Sequence, residues 1–94
     1  MAKEYTWNIK ENTVSEETGE EIEVEHTVAL RYSKLTGKAT VTIDGMSFPL
    51  THTKGTTQTF RLGDMAAMMD FPKWGDPDVV VDGVYVRSGK PYGA

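Results

Sequence analysis

Two histidines, a run of carboxylates and a few loop aromatics are the residues of this chain whose types suit chemistry. His26 and His52 are the obvious metal candidates. A shared zinc ion needs imidazole nitrogens about 2 Å away and usually four ligands in all. With no cysteine and no clear third ligand, the spacing supports no metal site. His26 reads more simply as a half-buried histidine hydrogen-bonded to a neighbour. Serine and aspartate occur, but none sits in the strand-turn-helix context that presents a nucleophile. No catalytic residue is assigned, and the expectation is a non-enzyme that carries no cofactor. Glu16, Glu17, Glu20, Glu21, Glu23 and Glu25 make one neighbourhood acidic. They lack the Asp/Asn-Gly spacing of a calcium-binding loop. They read as a solvated loop and the wet face of a strand, with a weak cation site or basic-partner patch as the alternative.

The aromatics point elsewhere. Trp74 lies in Pro72-Lys73-Trp74-Gly75-Asp76-Pro77, a loop by composition. An aromatic residue on such a loop either packs over the core as a lid or contacts a ligand or partner. Trp74 is therefore the leading binding candidate, with Tyr85 and Tyr92 beside it as a small-molecule or carbohydrate contact set. Trp7 belongs to a core phase instead, sugar stacking being the alternative.

These residues need elements to hold them, and composition says which kind. The chain has 94 residues, enough for one modest core. Threonine, valine and glycine are plentiful, which favours strands and turns. A net charge of -4 argues against a nucleic-acid surface, which needs clustered Lys and Arg. No stretch approaches the roughly 20 apolar residues of a membrane-spanning helix, and the N-terminus lacks a signal-peptide core. A cytoplasmic location is the expectation, with a domain excised from a secreted chain as the alternative.

Hydrophobic alternation then places the strands. Tyr5, Trp7 and Ile9 share one face of a strand over 5–10, followed by a polar connection over 11–20. Ile22, Val24, His26, Val28, Leu30 and Tyr32 share one phase of an unusually long strand, which is expected to bend, bulge or change sheets. Lys34-Leu35-Thr36-Gly37 closes the next hairpin. Asp44-Gly45 fits a two-residue turn with positive φ at both positions. The register follows: Ile43 opposite Met46, Val41 opposite Phe48, Ala39 opposite Leu50, one face wholly apolar. Pro49 lands where its missing N–H would point outward, so its strand belongs at a sheet edge. Residues 51–58 read as a loop and 58–62 as a strand. Asp82-Gly83 repeats the turn and pairs Val81 with Val84, Val80 with Tyr85, Val79 with Val86 and Asp78 with Arg87. Tyr92 is expected to fold back from the tail.

Residues 63–72 read two ways. Asp64 suits a helix cap, and Met and Ala are good helix formers. With period two, Met65, Ala67, Met69 and Phe71 make an inward strand face instead. Propensity favours a short helical turn near 64–70.

Trp7 and Ile9, His26-x-Val28-x-Leu30-x-Tyr32, Thr36-Gly37-Lys38 and Val41-x-Ile43-Asp44-Gly45 resemble the Fas apoptotic inhibitory molecule family. The likeness continues through Phe60-x-x-Gly63 and Val81-Asp82-Gly83. It implies a compact antiparallel β-sandwich, a strand over 64–71, no enzymatic activity and protein-interaction roles in cell-death control. The family's usual form has two related domains, and this chain has length for one. No functional residue carries over.

The sequence thus predicts an all-β antiparallel sandwich of about seven or eight strands in a single domain, 1–94. The expected function is non-catalytic protein interaction with partners of unknown identity, as a monomer or a weak edge-strand dimer. The alternative is a small-molecule or carbohydrate-binding module built on Trp74, Tyr85 and Tyr92.

Overall fold

The computed structural model describes residues 2–93. Eight strands make up the fold: β1 (Lys3–Val14), β2 (Glu21–Tyr32), β3 (Ala39–Ile43), β4 (Met46–Leu50), β5 (Thr56–Leu62), β6 (Met65–Phe71), β7 (Asp78–Val81) and β8 (Val84–Tyr85). They form two four-stranded antiparallel sheets, β1-β2-β3-β4 and β5-β6-β7-β8. Every connection within a sheet joins neighbours, so each sheet is a meander.

The sheets stack as a sandwich because each strand alternates apolar and polar residues. Trp7, Ile9, Val28, Leu30, Tyr32 and Val41 from the first sheet meet Leu62, Ala67, Met69, Phe71 and Val79 from the second in one core. Tyr32 of β2 packs on Phe71 of β6 with ring centroids 5.2 Å apart. Trp7 of β1 donates from Nε1 to Asp78 of β7 at 3.0 Å. β2 therefore faces β6 and β1 faces β7. That layering leaves edge strands β4 and β5 on the same flank.

The Asp44-Gly45 and Asp82-Gly83 turns form as expected, with φ of 47° and 88° in the first and 52° and 76° in the second. The register of β3 and β4 is the one the turn arithmetic gives, and β4 is an edge. The long strand differs from expectation. β1 runs on to Val14, so residues 11–14 are strand rather than loop, and β1 and β2 pair one for one from Lys3–Tyr32 to Val14–Glu21. An equally long partner removes any need for a bulge.

Residues 64–70 hold no helical turn. Gly63-Asp64 is a two-residue turn and 65–71 is strand β6, with Ala67, Met69 and Phe71 buried. β6 pairs with β5 on one side and β7 on the other. Ladder pairing on both edges, along all of β6 toward β5 and over Ala67 to Asp70 toward β7, and an inward face with period two outweigh the helix propensity of Met and Ala, which is weak at this length.

One local device recurs. Ser15-Glu16-Glu17-Thr18-Gly19-Glu20 and Ser33-Lys34-Leu35-Thr36-Gly37-Lys38 share the pattern Ser-x-x-Thr-Gly-x. In each, the glycine N–H donates to the serine carbonyl at 2.8 Å and the serine N–H donates to the last residue's carbonyl. Serine and threonine hydroxyls accept the N–H groups of Thr18 and Glu20, and of Thr36 and Lys38. Tyr85 to Lys90 closes the same way through Gly89.

Candidate functional site

His26, the residue with the clearest chemical potential, sits at one end of the sandwich. β2 carries it inward and 7% exposed. The Asp44 turn places its Oδ2 2.7 Å from Nδ1, and β1 places Glu11 Oε1 3.1 Å from Nε2. With a carboxylate at each ring nitrogen, the protonated imidazole can donate to both, which favours the charged form. Asp44 and then Glu11 raise its pKa above 6.5. His26 in turn lowers the pKa of both acids, helped by the Asp64 N–H on Glu11 and the Thr27 N–H on Asp44. The cluster ties β1, β2, the β3–β4 turn and the β5–β6 turn together. His52 lies exposed in the loop after β4, with a φ of 56°. No group of three His, Asp or Glu side chains with metal-holding geometry occurs among the described residues.

The open flank offers a different kind of site. Between β4 and β5 lies a slot of about 480 Å³. Val41, Ile43, Met46, Phe48 and Leu50 line it from the first sheet, and Phe60 and Met69 from the second. Asp44, Gln58, Thr59 and Arg61 supply its polar rim. The volume falls within the roughly 300–1,000 Å³ of ordinary ligand pockets. Its mouth is apolar and wet: Met46 is 66% exposed and Phe48 45%. The sequence had placed these two on an inward face. The face is inward, yet of β5's inward side chains Leu62 is buried in the core and only Gln58 and Phe60 line the slot, so the sandwich stays unfilled here.

The backbone along this flank is also unpaired. Among the described residues, β5 bonds only to β6. Leu62 and Met65 flank the two-residue turn and so bond to each other. Alternation along the ladder then points the N–H and C=O groups of Thr57, Thr59 and Arg61 away from β6, toward solvent. All three residues are exposed.

The aromatic candidates divide between two places. Trp74 is 87% exposed, so it forms no lid over the core, and the Lys54 ammonium stands 5.9 Å from its ring centroid. Gly75 directly after Trp74, with a φ of 95°, and Pro72 and Pro77 shape the loop that holds the ring clear of the sheets. Tyr85 and Tyr92 pack edge-to-face at 5.7 Å, the tail folding back through Tyr92 N–H to the Gly83 carbonyl. Tyr85 donates to Asp70 at 2.7 Å, and that carboxylate, with burial, pushes the phenol up to about 12. The β7–β8 ladder stops at Val80–Tyr85, so the expected strand pairs Val79–Val86 and Asp78–Arg87 do not form; the chain turns away after Tyr85, and the Asp78 carboxylate accepts the Arg87 backbone N–H at 3.2 Å. The guanidinium stacks 5.0 Å from the Trp7 ring centroid and 5.1 Å from that of Tyr5.

Glu11 was legible in principle. It continues the inward phase of Tyr5, Trp7 and Ile9, and a carboxylate in that phase calls for a buried partner. The slot had a weaker signal, an apolar β4 facing a β5 rich in threonine. No helix among the described residues is long and apolar enough to cross a membrane. A scan against protein-family models and searches of curated proteins and of solved structures find no match to the chain.

Proposed function

We propose that the protein is a non-catalytic interaction domain that accepts an extended segment of a second polypeptide along β5. The observation that carries this reading is the coincidence of a free strand edge with an apolar slot beside it. An added strand gains main-chain hydrogen bonds to Thr57, Thr59 and Arg61, while alternate side chains drop between the sheets onto Phe48, Phe60 and Met69. Main-chain bonding supplies affinity and the slot supplies selectivity for apolar side chains at every second position. The resemblance to the Fas apoptotic inhibitory molecule family, whose members work through protein contacts, agrees with this reading. A cytoplasmic location is part of this proposal, and the cysteine-free composition agrees with it.

The test is amide hydrogen exchange, at protein concentrations where the chain is monomeric, with a short synthetic peptide of alternating valine and threonine. Slowed exchange at Thr57, Thr59 and Arg61, with β1 amides unchanged, supports the reading. Binding that leaves those three amides exchanging as before overturns it.

A small-molecule module on Trp74, Tyr85 and Tyr92 is the second reading. The high exposure of Trp74 favours it. Loss of glycan or small-ligand retention in Trp74→Ala, with the β5 amides unaffected by ligand, would select it over strand addition.

A further inference from the structure

The four sheet edges are not equally defended. β1 carries Lys3, Glu4 and Lys10 along its length, and the Arg87 guanidinium stacks over Tyr5 and Trp7 on that strand. β4 has Pro49 at a position where its nitrogen faces outward, so an incoming strand finds no donor there. β8 is two residues long, and Val84 is bridged by Pro91 from the tail. Charge, proline, brevity and cover are the usual means of preventing edge-to-edge pairing. β5, Thr-Thr-Gln-Thr-Phe-Arg-Leu, has none of them beyond the single charge of Arg61.

Its sequence is also self-complementary. Set two copies of β5 antiparallel about a two-fold axis through Thr59. Thr59 then faces its own equivalent, Thr57 faces the second copy's Arg61, and Gln58 faces the second copy's Phe60. Thr57, Thr59 and Arg61 are the residues whose N–H and C=O groups point outward, so the outward groups of one copy meet those of the other in register. Threonine opposite threonine is a favourable cross-strand pair, and no like charges meet. Charge is complementary one strand further in. Thr57 is paired with Asp70 on β6, and Asp70 with Asp78 on β7, so Arg61 of each copy joins a row that runs on into the other's acidic residues. On the inner side, Phe60 and its equivalent become diagonal neighbours within aromatic reach. They close the mouth of the slot against Phe48, which is 45% exposed in the single chain.

We propose that the occupant of the β5 edge is a second copy of this chain, giving a two-fold dimer with one continuous eight-stranded sheet centred on Thr59. This rests on the strand-accepting reading of β5 and names its partner.

Charge swaps at the axis test it. Thr59 is exposed and its side chain leaves the core untouched. In Thr59→Lys or Thr59→Glu homodimers, like charges face each other at the axis. Sedimentation velocity is expected to show wild type as a dimer, each variant alone as a monomer, and the equimolar mixture restored to a dimer. Circular dichroism melts check that both variants remain folded. A wild-type dimer that persists in both variants overturns the Thr59 axis. A wild type that stays monomeric at millimolar concentration overturns the second copy as occupant. In that case slowed exchange at Thr57, Thr59 and Arg61 with the valine-threonine peptide leaves strand acceptance standing, and unchanged exchange removes both.

Discussion

Glu11 of β1 and His26 of β2 are joined by a 3.1 Å contact from Oε1 to Nε2 inside a site where both side chains are nine-tenths buried. Glu11 lies beside Ile9, which pairs with His26 across the ladder, so the contact is diagonal. Its other oxygen accepts the Asp64 N–H at 2.9 Å from the opposite sheet. One carboxylate therefore anchors a histidine in its own sheet and a turn in the other.

The cluster sets a pH window for stability. His26 has a raised pKa, so its contribution is complete below 6.5 and is lost as pH rises through the higher folded-state value. Glu11 and Asp44 have lowered pKa values. Their contributions are complete above 4.5 and 3.8 and are lost as pH falls through the lower folded-state values. Stability from this cluster is therefore greatest between 4.5 and 6.5 and declines on both sides. Urea midpoints across pH 3 to 9 will show the alkaline decline in wild type and its absence in His26→Phe. An alkaline decline of equal size in that variant would assign the effect to other groups.

The turn next to Glu11 depends on glycine for two separate reasons. Gly63 has a φ of +61°, and a Cβ there would stand 2.3 Å from Glu11 Oε1 and 3.2 Å from His26 Nε2. Gly83 has a φ of +76° with open space around it. Gly83→Ala should cost the left-handed conformation alone, about 1–2 kcal/mol. Gly63→Ala should cost more, because the carboxylate must leave its hydrogen bonds. Equal losses in chemical denaturation would mean that the Glu11 side chain moves aside freely.

Arg87 should not tolerate lysine. Its guanidinium covers the Trp7 and Tyr5 rings and donates from Nη1 to the Pro77 carbonyl at 3.2 Å. A lysine ammonium cannot lie flat on both rings and reach the same carbonyl. Arg87→Lys should lower stability by about 0.5–1 kcal/mol, the range for an exposed cation–π contact. The Trp7 emission should shift as well, measured in a Trp74→Phe background so that one indole reports. Unchanged emission would show that the stack is absent in solution.

How much of this was legible depends on whether one strand decides the outcome or two. The turns at Asp44-Gly45 and Asp82-Gly83 and the register of Ile43 with Met46 follow from local backbone requirements, and the sequence reading had them. The inward phase of His26 also follows from its own strand. β6 did not, since its state is decided by β5 and β7 pairing on both sides, which no window around Met65–Phe71 contains. Asp44 was read as a turn residue only, because its role toward His26 spans 18 positions. The slot was hidden for a similar reason. Met46 and Phe48 look like core residues until the strand across from them proves to be Gln58 and Phe60.

That last relationship separates binding surface from core. Phe71 is fully buried and packs on Tyr32. Phe71→Ala should destabilise by about 3–5 kcal/mol through lost burial and the cavity left behind. Phe48 is 45% exposed at the slot mouth, so Phe48→Ser removes far less buried area and should shift the urea midpoint only slightly. It should nevertheless abolish binding of the valine-threonine peptide, since the apolar wall that receives every second side chain is gone. If Phe48→Ser loses as much stability as Phe71→Ala, the slot is ordinary core that closes in solution. If its stability and peptide binding both match wild type, the slot plays no part in recognition and the β5 backbone alone holds the guest strand.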